Sequence, residues 1–110
     1  MDIDQKLVEL LEFNIERYEI VYRVHATQRM FERNIDESEV LKVVKNGIII
    51  EVYKSDKPFP SCLINGKSEK NRPIHVVTAL DEENKRIYIV TTYDPSPEKW
   101  SEGYSKRIKI

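Results

Sequence analysis

The sequence holds little that would crosslink it or bend it. There is one cysteine, Cys62, so no internal disulfide can form, and there are 3 glycines among 110 residues. A lone thiol fits a reducing compartment, and the chain is expected to be cytoplasmic. Apolar runs stop at three or four residues, at Ile48–Ile50 and Ile87–Val90. A spanning helix needs about 18 apolar residues or more, so no membrane association is expected. The opening Met1-Asp2-Ile3-Asp4 is acidic and leads into no apolar stretch of the secretory kind. There is no glycine-rich phosphate loop and no Cys-x-x-Cys pair. His25, His75 and Cys62 lie far apart in sequence and make a poor donor set for zinc. Neither metal nor cofactor is expected. No sign of charge dominates either: 18 basic residues against 19 acidic leave a net −1. That argues against a protein coated with positive charge for indiscriminate nucleic-acid binding.

What is present describes a folded chain. Hydrophobic residues make up 40% and charged residues 34%, which excludes disorder and low complexity. The length fits one domain spanning residues 1–110. Charge is unevenly spread along it. Residues 1–16 carry five acids and one lysine, net −4. Residues 17–33 are net +2, residues 67–80 net +2, residues 81–98 net −3, and the tail from Lys99 net +3. Three basic segments can converge in a fold, or each can be an ordinary solvated face.

The first part reads as helix. Leu7, Leu10, Leu11 and Ile15 recur with helical spacing behind Asp2 and Asp4, which predicts an acidic helix within 1–18. A short extended stretch follows near Tyr18–Val24. A second helix covers Ala26–Arg33, with Ala26, Met30 and Phe31 expected to bury. Asp36 and Glu39 form a capping-box pattern ahead of Val40, Leu41, Val43 and Val44, and Gly47 suits a left-handed helix end. The second part reads as strand: Ile48–Tyr53, Ser61–Ile64, Pro73–Leu80 and Ile87–Tyr93, with Asn65-Gly66 as the strongest turn signal. The expected architecture is α+β. Two to three N-terminal helices pack on one face of an antiparallel sheet of about four strands. The other face is expected to be at least partly open.

Three groups of residues can carry chemistry. His25, Arg29 and Arg33 recur at steps of four and share one helix face. An imidazole can move a proton near neutral pH, and two guanidinium groups can bind a phosphate. The competing description is a solvated face paired with acids such as Glu32. His75 lies on a strand with Val77 and Ala79 on its side, expected opposite Thr91 or Thr92. There it is a catalyst or a hydrogen-bonded structural histidine. Thr91-Thr92-Tyr93 ends the strongest strand, where a hydroxyl can bind phosphate and a ring can stack on a base, or where the three are ordinary strand composition. Tyr104, Lys106, Arg107 and Lys109 either add phosphate contacts or form a mobile tail. Cys62 reads as a small core residue, and Trp100 as a pin for the tail.

Taken together, His25-Ala26-x-x-Arg29-Met30-x-x-Arg33-x-Ile35, Glu39-Val40, Gly47, Arg72-Pro73-Ile74-His75-Val76-Val77 and Ile87–Tyr93 resemble a family of small prokaryotic proteins, domain of unknown function 4258. The resemblance covers a core of about 22–97 and leaves out the acidic N-terminal helix and the basic tail of 98–110. That family is similar to the RelE-like and barnase-like ribonuclease-toxin superfamily, which implies helices on a four-stranded antiparallel sheet. It also implies metal-independent RNA cleavage of the toxin type. On that implication His25 and His75 serve as base and acid, with the two roles interchangeable, Arg29 holds the phosphate with Arg33 as support, and Thr92 and Tyr93 orient the nucleotide. The implied partners are RNA and an antitoxin or other protein. The alternative is a non-catalytic module that binds protein or RNA on a toxin-like fold.

Overall fold

The computed structural model describes residues 15–108. The expected N-terminal helix lies outside these residues, except for one 3₁₀ turn at Ile15–Arg17. Helix α1 runs over Val24–Arg33 and ends on Asn34 in the left-handed region, at φ 54°. Asparagine tolerates that conformation better than most residues. Helix α2 runs over Glu37–Asn46. The Asp36 carboxylate accepts the Glu39 N–H at 2.9 Å, and the Glu39 side chain accepts the Asp36 N–H at 3.2 Å. The expected capping box is thus formed, and it satisfies two backbone donors at the helix start.

Gly47 does not adopt the expected left-handed conformation; its φ is −77°. Its role is to leave room. A Cβ there would sit 2.5 Å from the Val43 carbonyl oxygen and 2.7 Å from that of Asn65.

Five strands form the main sheet: β1 (Glu19–Tyr22), β2 (Ile48–Tyr53), β3 (Ser61–Lys67), β4 (Pro73–Asp81) and β5 (Arg86–Tyr93), in the order β1-β5-β4-β3-β2. Strands β2 to β5 form the expected antiparallel meander. The fifth strand is β1, which pairs with β5 in parallel, from Glu19 opposite Arg86 to Tyr22 opposite Ile89. The turn expected at Asn65-Gly66 is absent. Both residues stay in the β3–β4 ladder, opposite His75 and Ile74. The chain reverses later, where Asn71 takes a positive φ of 63°.

Alternation along the strands sorts residues between two faces. Ala26 and Met30 of α1 and Val40, Val43 and Val44 of α2 pack on Cys62, Ile64, Ile74, Val76, Leu80, Ile87 and Ile89. His75, Val77 and Ala79 therefore point the other way. Phe31 does not bury as expected; it is 90% exposed. One residue beyond Met30 is about 100° further round the helix, which turns it to solvent.

A second, two-stranded sheet pairs β6 (Trp100–Ser101) with β7 (Lys106–Arg107). This hairpin lies over part of the face away from the helices. Among the described residues no helix is long and apolar enough to cross a membrane.

Candidate functional site

Helix α1 carries His25, Arg29 and Arg33 along its length, as their spacing predicts, but their surroundings differ. His25 is exposed. Arg29 pairs with Glu32 at 3.1 Å, one turn further on. Arg33 reaches the end of β5, where its Nη1 donates to the Thr92 carbonyl at 2.9 Å.

His75 stands on the opposite face of the sheet and is 0% exposed. Its partner across the ladder is Tyr93, not Thr91 or Thr92, because a register shift falls between Val77 and Thr78. Both ring nitrogens are engaged: Nε2 lies 2.8 Å from the Tyr104 carbonyl oxygen and Nδ1 lies 3.1 Å from the Tyr93 hydroxyl. A carbonyl can only accept, so Nε2 carries the proton. The bare Nδ1 of the neutral ring then accepts from Tyr93 O–H. Burial pushes the His75 pKa down. The sheet lies between the two histidines, so the structure does not bring His25 and His75 to one phosphate. Nor does it bring Cys62, which packs in the helix-side core, to His75.

Thr92 is buried on the helix side, and its hydroxyl donates to the His75 carbonyl at 2.9 Å. That side chain positions β5 against β4. Only the Thr92 carbonyl takes part in the surroundings of Arg33.

What the structure does gather lies around the hairpin. Arg107 donates to both carboxylate oxygens of Glu51, at 2.7 and 3.1 Å. This fork holds the Glu51 carboxyl below its ordinary pKa. Tyr53 donates to the same carboxylate. Burial, with that bond, pushes its phenol up to about 12. The Arg107 guanidinium also lies over the Trp100 ring at 4.6 Å, and Trp100 meets the His75 ring edge-on at 4.5 Å. Asn65 fastens the hairpin tip by donating to the Gly103 carbonyl at 2.9 Å.

Beside this stack opens a pocket of about 420 Å³, lined by Arg33, Tyr93, Asp94, Ser96, Lys99, Trp100 and Arg107. Three cations face one carboxylate. That carboxylate is already held by Arg72, at 2.7 and 2.9 Å. Arg72 also donates to the carbonyls of Arg33 and Asn34, at 2.7 and 2.8 Å, and so ties the end of α1 to the end of β5. Lys99 forms no ion pair among the described residues. Arg107 is neutralised by Glu51 and covers one face of the buried Trp100. The charge left to the pocket therefore comes from Lys99 and Arg33, and the half-buried ring of Tyr93 is its aromatic wall. Such a pocket can hold a phosphate with a planar ring beside it.

Of the residues singled out in the sequence, Arg33, Tyr93 and Arg107 line this pocket, as does Trp100, read there as the pin of the tail; Thr92 and His75 support it, and His25 and Arg29 stand apart from it. Sequence reasoning did not place Lys99, Trp100 and Arg72 at a site. The available signal was the net +3 of the tail around the only tryptophan.

No curated protein and no solved structure matches the chain. A family model does, over residues 22–94, which hold every strand of the main sheet but the first three residues of β1. Its description is Domain of unknown function (DUF4258), and the chain belongs to that family.

Proposed function

We propose that the chain is an RNA-binding module whose pocket between α1 and the C-terminal hairpin takes a phosphate and its neighbouring base. The observation that carries this reading is the convergence of Arg33, Lys99 and Arg107 with Tyr93 and Trp100 on one open pocket. Lys99 and Arg33 meet the phosphate charge, Arg107 adds its field although Glu51 holds it, and Tyr93 supplies the stacking surface. The resemblance to RNA-cleaving toxins read from the sequence is what favours RNA as the anion. A net charge of −1 for the whole chain fits a local site better than a uniformly basic surface.

Anisotropy of a labelled single-stranded RNA, measured across a salt series, tests this. Affinity should fall with ionic strength, and Arg33→Ala should weaken binding and lower the salt slope by about 1. Affinity that ignores both salt and Arg33→Ala sinks the reading.

The Tyr93–His75 hydrogen bond favours a second reading, cleavage of the bound strand without a metal. Tyr93 takes the proton of the 2′-hydroxyl while its own proton passes to His75 Nδ1. The 2′-oxygen bonds to phosphorus, and the bond to the 5′-oxygen breaks. The leaving oxygen takes a proton from the Lys99 ammonium, while Arg33 and Arg107 meet the charge of the phosphorane. No free phenolate is needed, which agrees with the upward push that burial gives the Tyr93 pKa, while the downward push on His75 makes proton uptake there the costly part of the step. Tyr93→Phe should slow cleavage by about 10²–10⁴. An intact strand after long incubation with the unaltered protein leaves binding as the whole function.

A further inference from the structure

The face that carries Tyr93 continues along β4 and β5 to a second group of rings. Ala79 pairs with Tyr88 there as His75 pairs with Tyr93 further down the ladder. Both pairs alternate with core residues of the helix face, so Tyr88 and Tyr93 share the open one. The Phe59 ring stacks on Tyr88 with centroids 5.5 Å apart and planes 8° from parallel. The Arg23 guanidinium lies over the Tyr88 ring at 4.6 Å. Beside them is a separate pocket of about 170 Å³, with Arg23, Lys57 and Phe59 in its lining and Val77 and Val90 among its apolar walls. One carboxylate, Asp56, also lines it and accepts a hydrogen bond from Ser61. The lining is thus net positive by one charge.

We propose that this end of the face is a second base-binding subsite, occupied by the same single strand of RNA whose phosphate sits in the hairpin pocket. The inference rests on the RNA-binding reading and adds its direction and length. A nucleobase extends a stacked aromatic array without edge-specific hydrogen bonds, so the subsite tolerates any base. Arg23 and Lys57 meet the backbone charge that accompanies it. Tyr88 and Tyr93 are five residues apart on β5, a reach of about 16 Å at about 3.3 Å per residue. Stacked nucleotides advance about 3.4 Å each. A dinucleotide therefore fills one subsite only, and a strand of about six nucleotides fills both. Val77 and Thr91, paired between the two ends, form the floor that the strand crosses.

The test compares uridine dinucleotide with hexauridylate on the full chain, by calorimetry for both and anisotropy for the labelled hexamer. The hexamer should bind at least about 10-fold more tightly than the dimer. Phe59→Leu, which keeps apolar bulk and removes the π face, should erase most of that gain. Arg23→Gln, at an exposed position, should do so too, and neither should change dimer affinity. Circular dichroism melts verify that both variants fold, and Arg23→Gln carries the test if Phe59→Leu does not. A hexamer advantage that survives both substitutions overturns the second subsite while leaving the first. Failure of both oligonucleotides to bind the unaltered chain overturns the RNA reading, and this inference with it.

Discussion

The two faces of the sheet are built on different physical terms. The helix face is apolar: Ile64, Ile74, Val76, Ile87 and Ile89 lie under Ala26, Met30, Val40, Val43 and Val44. Its cohesion comes from removing apolar surface from water and from close packing. The opposite face is held by polar groups that satisfy one another under the hairpin. His75 bridges Tyr93 and Tyr104, Asn65 holds Gly103, and Glu51 holds Arg107. One strand serves both, since Ile74, Val76 and Leu80 face the helices while His75, Val77 and Ala79 face away. A packed apolar face tolerates no function. A face closed by hydrogen bonds can leave a polar pocket at its margin.

The largest effect expected from breaking this contrast is on the helix face. Ile89 is 0% exposed. Ile89→Ala should cost about 2–5 kcal/mol in urea unfolding. A loss below about 1 kcal/mol would mean that the face is not tightly packed.

Next is His75→Leu, which leaves the Tyr104 carbonyl and the Tyr93 hydroxyl without their partner. A cost of about 1–3 kcal/mol is expected, with faster amide exchange in the hairpin than elsewhere. The same residue sets a pH signature. Burial lowers the folded-state pKa of His75 below its ordinary 6.5. The unfolded chain therefore takes up the proton first, and folded stability should decline as pH falls below about 6.5. His75→Leu should remove that part of the acid slope. An identical slope in the variant assigns it to other groups.

His25→Ala should have the smallest effect. The residue is exposed on α1 and away from the pocket, so stability should stay within about 0.5 kcal/mol. RNA affinity should not move. A marked loss of affinity would show that the helix side binds the strand, and would reverse the assignment of the two faces.

Much of this was legible locally. The Asp36–Glu39 cap depends on residues three apart, and the alternation of β4 put His75 on the side of Val77 and Ala79. What was not legible depends on distant chain. Asn65-Gly66 carries turn chemistry, yet pairing with His75 and Ile74 keeps it extended. Gly66 also lies close under α2, where a Cβ would come within 3.0 Å of Val43 Cγ1. Gly47 was recognisable as necessary, but the reason is the nearness of the Asn65 carbonyl, which sequence spacing does not reveal. For the site, Arg33 and Tyr93 stood out by residue type. Lys99 and Trp100 join Arg107 there from a tail whose docking depends on Glu51, Asn65 and His75, and that docking decides between the phosphate contact and the mobile tail that the sequence left open for Arg107.

The parallel pairing of β1 has a consequence for how the chain is made. Glu19 meets Arg86, so 66 residues lie between the first contact partners of that strand. At about 5–20 residues per second, a ribosome needs several seconds to supply the second partner. Throughout that interval β1 has no place in the sheet and α1 lacks β5, the strand it packs on, while α2 and the β2–β4 meander already have most of theirs. A transcript broken before the codon for Arg86 would yield a chain with an unpaired leading strand and without Ile87 and Ile89, the part of the core that α1 packs on. Cellular quality control would meet that product as an unfolded protein, whatever its first 85 residues encode.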